Sequence, residues 1–271
     1  MKIVLLSPTW GHEDLPITIF LDKVRAAGYH GVDTWVPTQH KEKQLLFNYL
    51  QKHQMYSVAH QHQATGKTFS QFCKSFAKNL NECAEADPLL INSHTGKDYF
   101  SFQQNLALLD IANEFTDKTG VRVAHETHRG RFGYSPQMLD DFFKSDSPFL
   151  LTADFSHWVC VTESMLEHFG PQLKRAIGVS RHIHARFGYE QGPQVPDPRD
   201  PRWEYVKRKF FKWWDEIVAI NVKINTPILP ITTEFGPHPY MINMPFTEQA
   251  LTDQFEVNLY LKELISTRYG I

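Results

Sequence analysis

The feature that most constrains this chain is a regular alternation of short β-rich runs with longer segments of helical periodicity. Eight such runs recur along the 271 residues, and after each one the apolar residues are spaced three or four apart. Strands that alternate with helices are typical of parallel βαβ units. The predicted strands are Lys2–Trp10, Gly31–Val36, Tyr56–His62, Leu89–His94, Val121–Glu126, Phe149–Asp154, Arg181–Arg186 and Ile228–Glu234.

Two architectures satisfy this pattern, a closed (β/α)₈ barrel and an open doubly wound sheet. No glycine-rich phosphate-binding sequence follows the first strand, and no linker interrupts the chain. Both observations favour an α/β protein with one barrel domain over residues 1–271. The predicted helices are about Glu13–Ala27, Lys41–His53, Thr68–Ala86, Ser101–Thr119, a segment from Ser135, Thr162–Arg175, a periodic run from Trp203 to Ile217, and Thr247–Ser266.

The composition excludes several classes of function. Lys and Arg total 28 and Asp and Glu total 30, a formal charge of −2, which predicts no binding to nucleic acid or to an anionic membrane. No stretch reaches the roughly 20 apolar residues of a membrane span. Cys73, Cys83 and Cys160 match no zinc spacing, so we expect reduced thiols and a cytoplasmic protein.

Acidic and histidine side chains, which can bind metal ions or transfer protons, lie at the ends of the later strands. Glu126 ends strand five, Asp154 ends strand six, His184 ends strand seven and Glu234 ends strand eight. In a barrel, alternate strand residues face the interior. The residues two and four positions before each of these four lie on the same face of the strand, and they are of types suited to the barrel interior. We therefore expect all four to point inward at one level.

Three converging carboxylates would repel one another unless a cation lay between them. A mixed carboxylate and imidazole shell suits one divalent metal ion, Mn²⁺, Mg²⁺, Co²⁺ or Zn²⁺. The predicted metal ligands are Glu126, Asp154, His184 and Glu234. The alternative is that each acid only caps the helix that follows its strand.

Other residues near strand ends are candidates for contact with a substrate. The sequence has 14 histidines, and His60, His62, His94 and His128 all lie at strand ends. His94 and His62 are predicted to bind substrate, and Trp10 with Trp35 would form an apolar wall, although core packing of both rings is an equal alternative. Arg186 suits an anionic group or a hydroxyl, with a structural ion pair as its alternative. His182 is expected one layer below His184, in a supporting role.

The connection from Phe187 to Pro201 is long and rich in Pro and Gly. In a barrel it would lie over the C-terminal face, where active sites form, so it is a candidate lid or substrate contact. A stiff surface loop is the alternative.

Taken in order, these residues resemble the xylose isomerase-like barrel superfamily, and within it the sugar phosphate isomerase/epimerase group. The resemblance is carried by Glu126, by Asp154 with His157 three residues later, by His182 with His184, and by Glu234. It implies that Glu126 and Glu234 are catalytic proton-transfer groups as well as ligands, and that His157 contacts substrate. One departure is that the epimerases place an Arg six residues after the strand-seven His, where this chain has Glu190.

The resemblance implies a metal-dependent isomerase or epimerase of a small carbohydrate. A dehydratase acting on a keto-inositol or sugar acid would use the same site. An endonuclease IV-like phosphodiesterase is disfavoured because no Asp-x-His sequence follows His184. A non-catalytic sugar-binding barrel is the remaining alternative. Trp203, Trp213 and Trp214 on one predicted helix suggest a homo-oligomer interface.

Overall fold

The structure, a computed structural model, describes residues 1–271. Its strands are parallel and pair in sequence order, and the first strand also pairs with the eighth, so the sheet closes into a barrel. The predicted (β/α)₈ barrel is therefore confirmed. The strands are β1 Lys2–Pro8, β2 Gly31–Thr34, β3 Tyr56–Gln61, β4 Ile91–Ser93, β5 Val123–Glu126, β6 Leu150–Ala153, β7 Ser180–Ala185 and β8 Ile228–Thr233.

Helices surround the barrel, and several begin at the side-chain caps that the sequence offers. Thr68 accepts a hydrogen bond from Gln71 N, and Ser101 forms a reciprocal capping box with Gln104. Ser135 caps a helix whose first residue is Pro136. The helices are α1 Ile17–Ala26, α2 His40–Lys52, α3 Phe69–Ala84, α4 Phe102–Thr119, α5 Pro136–Phe142, α6 Phe155–Thr162, α7 Gly170–Val179, α8 Glu204–Lys223 and α9 Gln254–Tyr269.

The helix predicted over Thr162–Arg175 is wrong. Two helices occupy this region, α6 directly after β6 and α7 from Gly170. The cause is Asp154, whose carboxylate accepts a hydrogen bond from Ser156 N and starts α6 at once. Glu163, in the left-handed region with φ 47°, ends α6.

Two other helices begin later than predicted. The last helix starts at Gln254 rather than Thr247, because Asp253 is its cap and accepts from Glu256 N. The first starts at Ile17, after Pro16, rather than at Glu13. The Glu13 carboxylate instead accepts hydrogen bonds from Gly11 N.

Seven strands are shorter than predicted and β7 ends one residue earlier, which places most of the candidate site residues just beyond the strands. β1 ends at Pro8, so Trp10 lies in the following loop. Asp154, Arg186 and Glu234 each come immediately after a strand. These side chains therefore extend from the C-terminal mouth of the barrel.

The barrel interior is layered from an apolar base to a polar mouth. Its base is a buried apolar cluster of Val4, Leu6, Val58, Leu90 and Ala124. Above it lies a polar layer in which His182 Nδ1 is 3.2 Å from Thr152 Oγ1 and its Nε2 is 2.8 Å from Thr232 Oγ1. The interior positions predicted for Ala124, Thr152 and Thr232 agree with this arrangement.

The long connection from Phe187 packs against the loop that follows β8. Gly236 N donates to Gln194 Oε1 at 2.7 Å, and Gln194 Nε2 donates back to Gly236 O at 3.1 Å. A Cβ on Gly236 would lie 2.4 Å from the Trp10 ring, so any other residue there would displace the ring or the loop. The connection thus stabilises the loop after β8, against which the Trp10 ring packs.

The tryptophans of α8 are largely buried by contacts within the same chain. Trp213 is 5% exposed and Trp214 is 1% exposed, and the Trp214 ring lies 5.0 Å from that of Phe187. Packing within one chain therefore accounts for Trp213 and Trp214, and a homo-oligomer interface stays a prediction.

The three cysteines are unpaired thiols. No helix combines the length and the apolar character that crossing a bilayer requires.

Candidate active site

A cavity of about 180 Å³ opens at the C-terminal ends of the strands. This is the end at which barrel enzymes place their active sites. Its walls contain histidines, acids and aromatic rings in close succession. The lining residues are Pro8, Trp10, Asp33, Trp35, His60, His62, His94, Glu126, His128, His184, Arg186, Glu234 and Tyr240.

Three of the four predicted metal ligands, Glu126, His184 and Glu234, line this cavity, and Asp154 is fully buried. Each is at most 6% exposed. His184 Nδ1 lies 2.6 Å from Glu234 Oε2 and 3.6 Å from Glu126 Oε2. Single ligand atoms of Glu126, Asp154 and His184 all lie within 4.8 Å of one another. Asp154 does not itself line the cavity.

Two buried atoms of this group, His184 Nδ1 and Glu234 Oε2, face each other at 2.6 Å without the geometry of a hydrogen bond. The same Glu234 oxygen also contacts Arg186 Nη2 at 2.7 Å. An imidazole nitrogen and a carboxylate oxygen that converge in this way fit a divalent cation, so the donor set suits the predicted ion.

The His184 ring is held in place from its other side. Its Nε2 lies 2.9 Å from Asp33 Oδ2, which also accepts a hydrogen bond from Thr232 Oγ1 at 3.1 Å. A carboxylate that binds the far nitrogen of a histidine fixes the ring so that Nδ1 faces the ligand position. Burial raises the pKa of Asp33, although its hydrogen bond with His184 opposes the shift.

Burial alone would lower the pKa of His184, but Glu234, Glu126 and Asp33 together hold it well above its ordinary value. These three carboxylates therefore favour the protonated form of His184. A metal ion would have to displace that proton, as is general for imidazole ligands.

Arg186 lies between two of the predicted ligands. Its Nε donates to Asp154 Oδ2 at 3.1 Å, and its Nη2 lies 3.1 Å from the same oxygen and 2.7 Å from Glu234 Oε2. The guanidinium carbon is 4.7 Å from the centre of the Tyr240 ring and 5.6 Å from that of Trp10. The ion pair considered for Arg186 from the sequence is therefore present, with two carboxylates as partners.

Asp154 also caps the helix that follows its strand, which is the alternative role that the sequence allowed for it. Its Oδ1 accepts from Ser156 N at 3.1 Å and from the Ser156 hydroxyl. Burial raises the pKa of Asp154 to about 6, although Arg186 opposes the shift. Both carboxylate oxygens thus already have partners in the protein.

Glu126 faces a wall of histidines. Its Oε2 accepts from Asn92 Nδ2 at 2.7 Å and from His94 Nε2 at 3.0 Å. Burial alone would raise the pKa of Glu126, but His94 and His184 hold it well below its ordinary value. The carboxylate is consequently ionised at neutral pH.

Most of the predicted substrate-binding residues line the cavity. His62, His94, Trp10 and Arg186 are all on its wall. Burial lowers the pKa of His62 to about 4, so its imidazole is neutral and can both donate and accept a hydrogen bond.

His157 differs from these residues because it is fully buried and does not reach the cavity wall. Its ring lies 3.9 Å from that of His128, which does line the cavity, and neither His157 nitrogen has a hydrogen-bond partner. Contact between His157 and substrate therefore stays a prediction.

Sequence reasoning missed Asp33, Asn92 and Tyr240. Asp33 could have been found as a lone acid inside a predicted strand, between Val32 and Thr34. Tyr240 lies in the loop after β8, where its ring is 5.1 Å from that of Trp10. That loop gave no periodic signal from which to place it.

Sequence comparison identifies no relative, since no protein-family model and no curated protein matches the chain. Solved structures do match. An L-ribulose 3-epimerase superposes with a TM-score of 0.66 at 12% identity, over 98% of this chain and 94% of that one.

Two further matches extend the comparison. A probable 3-DHS dehydratase from Bacillus anthracis gives 0.57 at 12% identity, over 98% of this chain and 99% of that one. A xylose isomerase-like TIM barrel protein from Mycobacterium smegmatis, in complex with magnesium, gives 0.60 at 11% identity, over 97% of each chain. This chain therefore shares the TIM barrel fold of these proteins.

Proposed function

We propose that this protein is a divalent-metal-dependent isomerase or epimerase of a small sugar or sugar derivative. One observation carries the proposal. Two buried glutamates, Glu126 and Glu234, approach the same nitrogen of His184 at the base of an open cavity, while Asp33 holds the ring from behind. The fold shared with a sugar epimerase supports the same conclusion.

Glu126, Asp154, His184 and Glu234 would hold the ion. A magnesium complex of a barrel with this fold supports a divalent metal, and the mixed oxygen and nitrogen donors also suit Mn²⁺, Co²⁺ or Zn²⁺. When bound, the ion would polarise the carbonyl and hydroxyl oxygens of the sugar and stabilise an enediolate.

The protein's own groups would move the proton. Epimerisation beside a carbonyl requires a base to remove a carbon-bound proton and an acid to return one. Glu126 and Glu234 both line the cavity, and in this proposal the two carboxylates act on opposite faces of the sugar. His62 and His94 would bind hydroxyl groups, and Trp10 would contact an apolar face of the ring.

The proposal is tested by following exchange of substrate C–H protons with deuterated solvent by NMR, in the presence of Mn²⁺ and a panel of ketoses, aldoses and keto-inositols. We expect Glu126→Gln and Glu234→Gln each to lower the exchange rate by about 10²-fold or more, because each removes one proton-transfer group. Because both glutamates are also proposed ligands, each variant is assayed at a Mn²⁺ concentration that saturates it, and Glu216→Gln, on the exposed face of α8, is the matched control.

Near-normal exchange in both variants would refute the assignment of the two glutamates. A product lighter than its substrate by one water would instead identify a dehydratase acting through the same site.

A further inference from the structure

Arg186 occupies an unexpected position for a residue beside a predicted metal site. It follows β7 directly, two residues after His184, and only 2% of its surface is exposed. Its Nη2 contacts the same Glu234 oxygen that lies 2.6 Å from His184 Nδ1. The guanidinium therefore shares a ligand atom with the position proposed for the ion.

The contacts at Asp154 lead to the same conclusion. One oxygen of this carboxylate accepts from Ser156, and the other accepts from Arg186. A metal ion bound through Oδ2 of Asp154 would therefore share that oxygen with Arg186.

Arg186 also differs from an ordinary buried ion pair. It lines the cavity, and its Nη1 is buried without a hydrogen-bond partner. The Tyr240 and Trp10 rings lie within cation–π distance of the guanidinium. These rings would continue to stabilise the cation if it withdrew from Glu234.

We propose that Arg186 is the resident counter-cation of the metal-free site, which holds Asp154 and Glu234 together and weakens the binding of a divalent ion by competing for their oxygens. This inference rests on the metal site of the proposed function. A guanidinium and a divalent cation that share two carboxylates repel each other, so the affinity of the site for metal is set in part by Arg186.

The experiment measures Mn²⁺ affinity by titration calorimetry and thermal stability with and without Mn²⁺. Arg186→Met keeps an unbranched side chain as far as its fourth atom and removes the guanidinium group with its charge. We expect the metal-free variant to melt at a lower temperature than the wild type, because two buried carboxylates lose their cation. We expect it to bind Mn²⁺ about tenfold more tightly or better, and to gain more stability from the ion.

Arg186→Gln provides a second measurement if the methionine variant does not fold. It retains an N–H donor for one carboxylate and lacks the charge, so it should also bind Mn²⁺ more tightly than the wild type. Arg268→Met, which removes the same side chain from an exposed pair with Asp215, is the matched control and should leave Mn²⁺ affinity unchanged.

Unchanged or weaker Mn²⁺ binding in the Arg186 variants would overturn the inference and leave the proposed function intact. That result would mean that Arg186 orients the ligands instead of competing for them. Failure of both the wild type and the variants to bind any divalent ion would overturn the inference and the proposed metal dependence together.

Discussion

Asp33 and His184 are 151 positions apart in the chain, and the hydrogen bond between them shows how the site is prepared before any ligand enters. The carboxylate of Asp33 accepts from Nε2, so the remaining nitrogen of His184 faces Glu126 and Glu234. Neither residue achieves this alone, since an imidazole without the carboxylate could rotate. Asp33 is therefore a positioning residue for the proposed metal ligand.

We expect Asp33→Asn to weaken Mn²⁺ binding by about 10- to 100-fold, because the amide is a poorer acceptor and no longer fixes the ring. Calorimetric titration with Mn²⁺ measures the effect. The exposed Asp146→Asn is the control and should bind as the wild type does. Equal affinity of Asp33→Asn and the wild type would show that the ring is held by packing alone.

At the residue level, the sequence was informative about acidic and histidine side chains that lie at the ends of strands. Glu126, Asp154, His184 and Glu234 were predicted to converge because parallel strands bring their C-terminal ends together, and they do lie together. The role of Arg186 between two carboxylates was not predictable in the same way. Its contacts depend on side-chain direction and on the exact separation of three strands, which residue periodicity does not encode.

At the level of elements, the loops after β1, β7 and β8 act as one structural unit. Gln194 binds both backbone groups of Gly236, and Gly236 lies against the Trp10 ring.

Among the helices, the sequence predictions were wrong about where some of them begin. Asp154 and Asp253 each cap a helix at a position that apolar periodicity does not identify.

We expect Gly236→Ala to lower the free energy of unfolding by about 1–3 kcal/mol, because the new methyl group would overlap the Trp10 ring. Urea unfolding followed by tryptophan fluorescence measures both the loss and the displacement of the ring. Gly178→Ala makes the same change within α7, where a Cβ meets nothing within 4 Å. That control should be as stable as the wild type or slightly more so, and the same behaviour in Gly236→Ala would contradict the prediction.

At the level of the whole molecule, the histidine-rich mouth makes stability depend on pH. Burial lowers the pKa of His62 to about 4, whereas an unfolded histidine titrates near its ordinary 6.5. Below pH 6.5 the unfolded chain gains a proton at this position that the folded chain does not. The stability contributed by neutral His62 is therefore complete above pH 6.5 and is lost as the pH falls toward 4.

We expect His62→Gln to reduce this dependence. Between pH 7.5 and pH 5, the free energy of unfolding of the variant should fall less than that of the wild type, as measured by urea titration at both values. His40→Gln, at the exposed start of α2, is the control and should follow the wild type. Parallel losses in His62→Gln and the wild type would show that His62 does not contribute.

The separation of an apolar base from a polar mouth has a practical consequence for engineering. Every proposed reacting group lies at the ends where strands lead into helices, while Val4, Leu6 and Val58 fill the opposite end. Changes to the turns that lead from helices back into strands can therefore adjust thermal tolerance or expression without altering substrate choice. Selectivity can conversely be redesigned in the loops around Trp10 and Tyr240 on an unchanged scaffold.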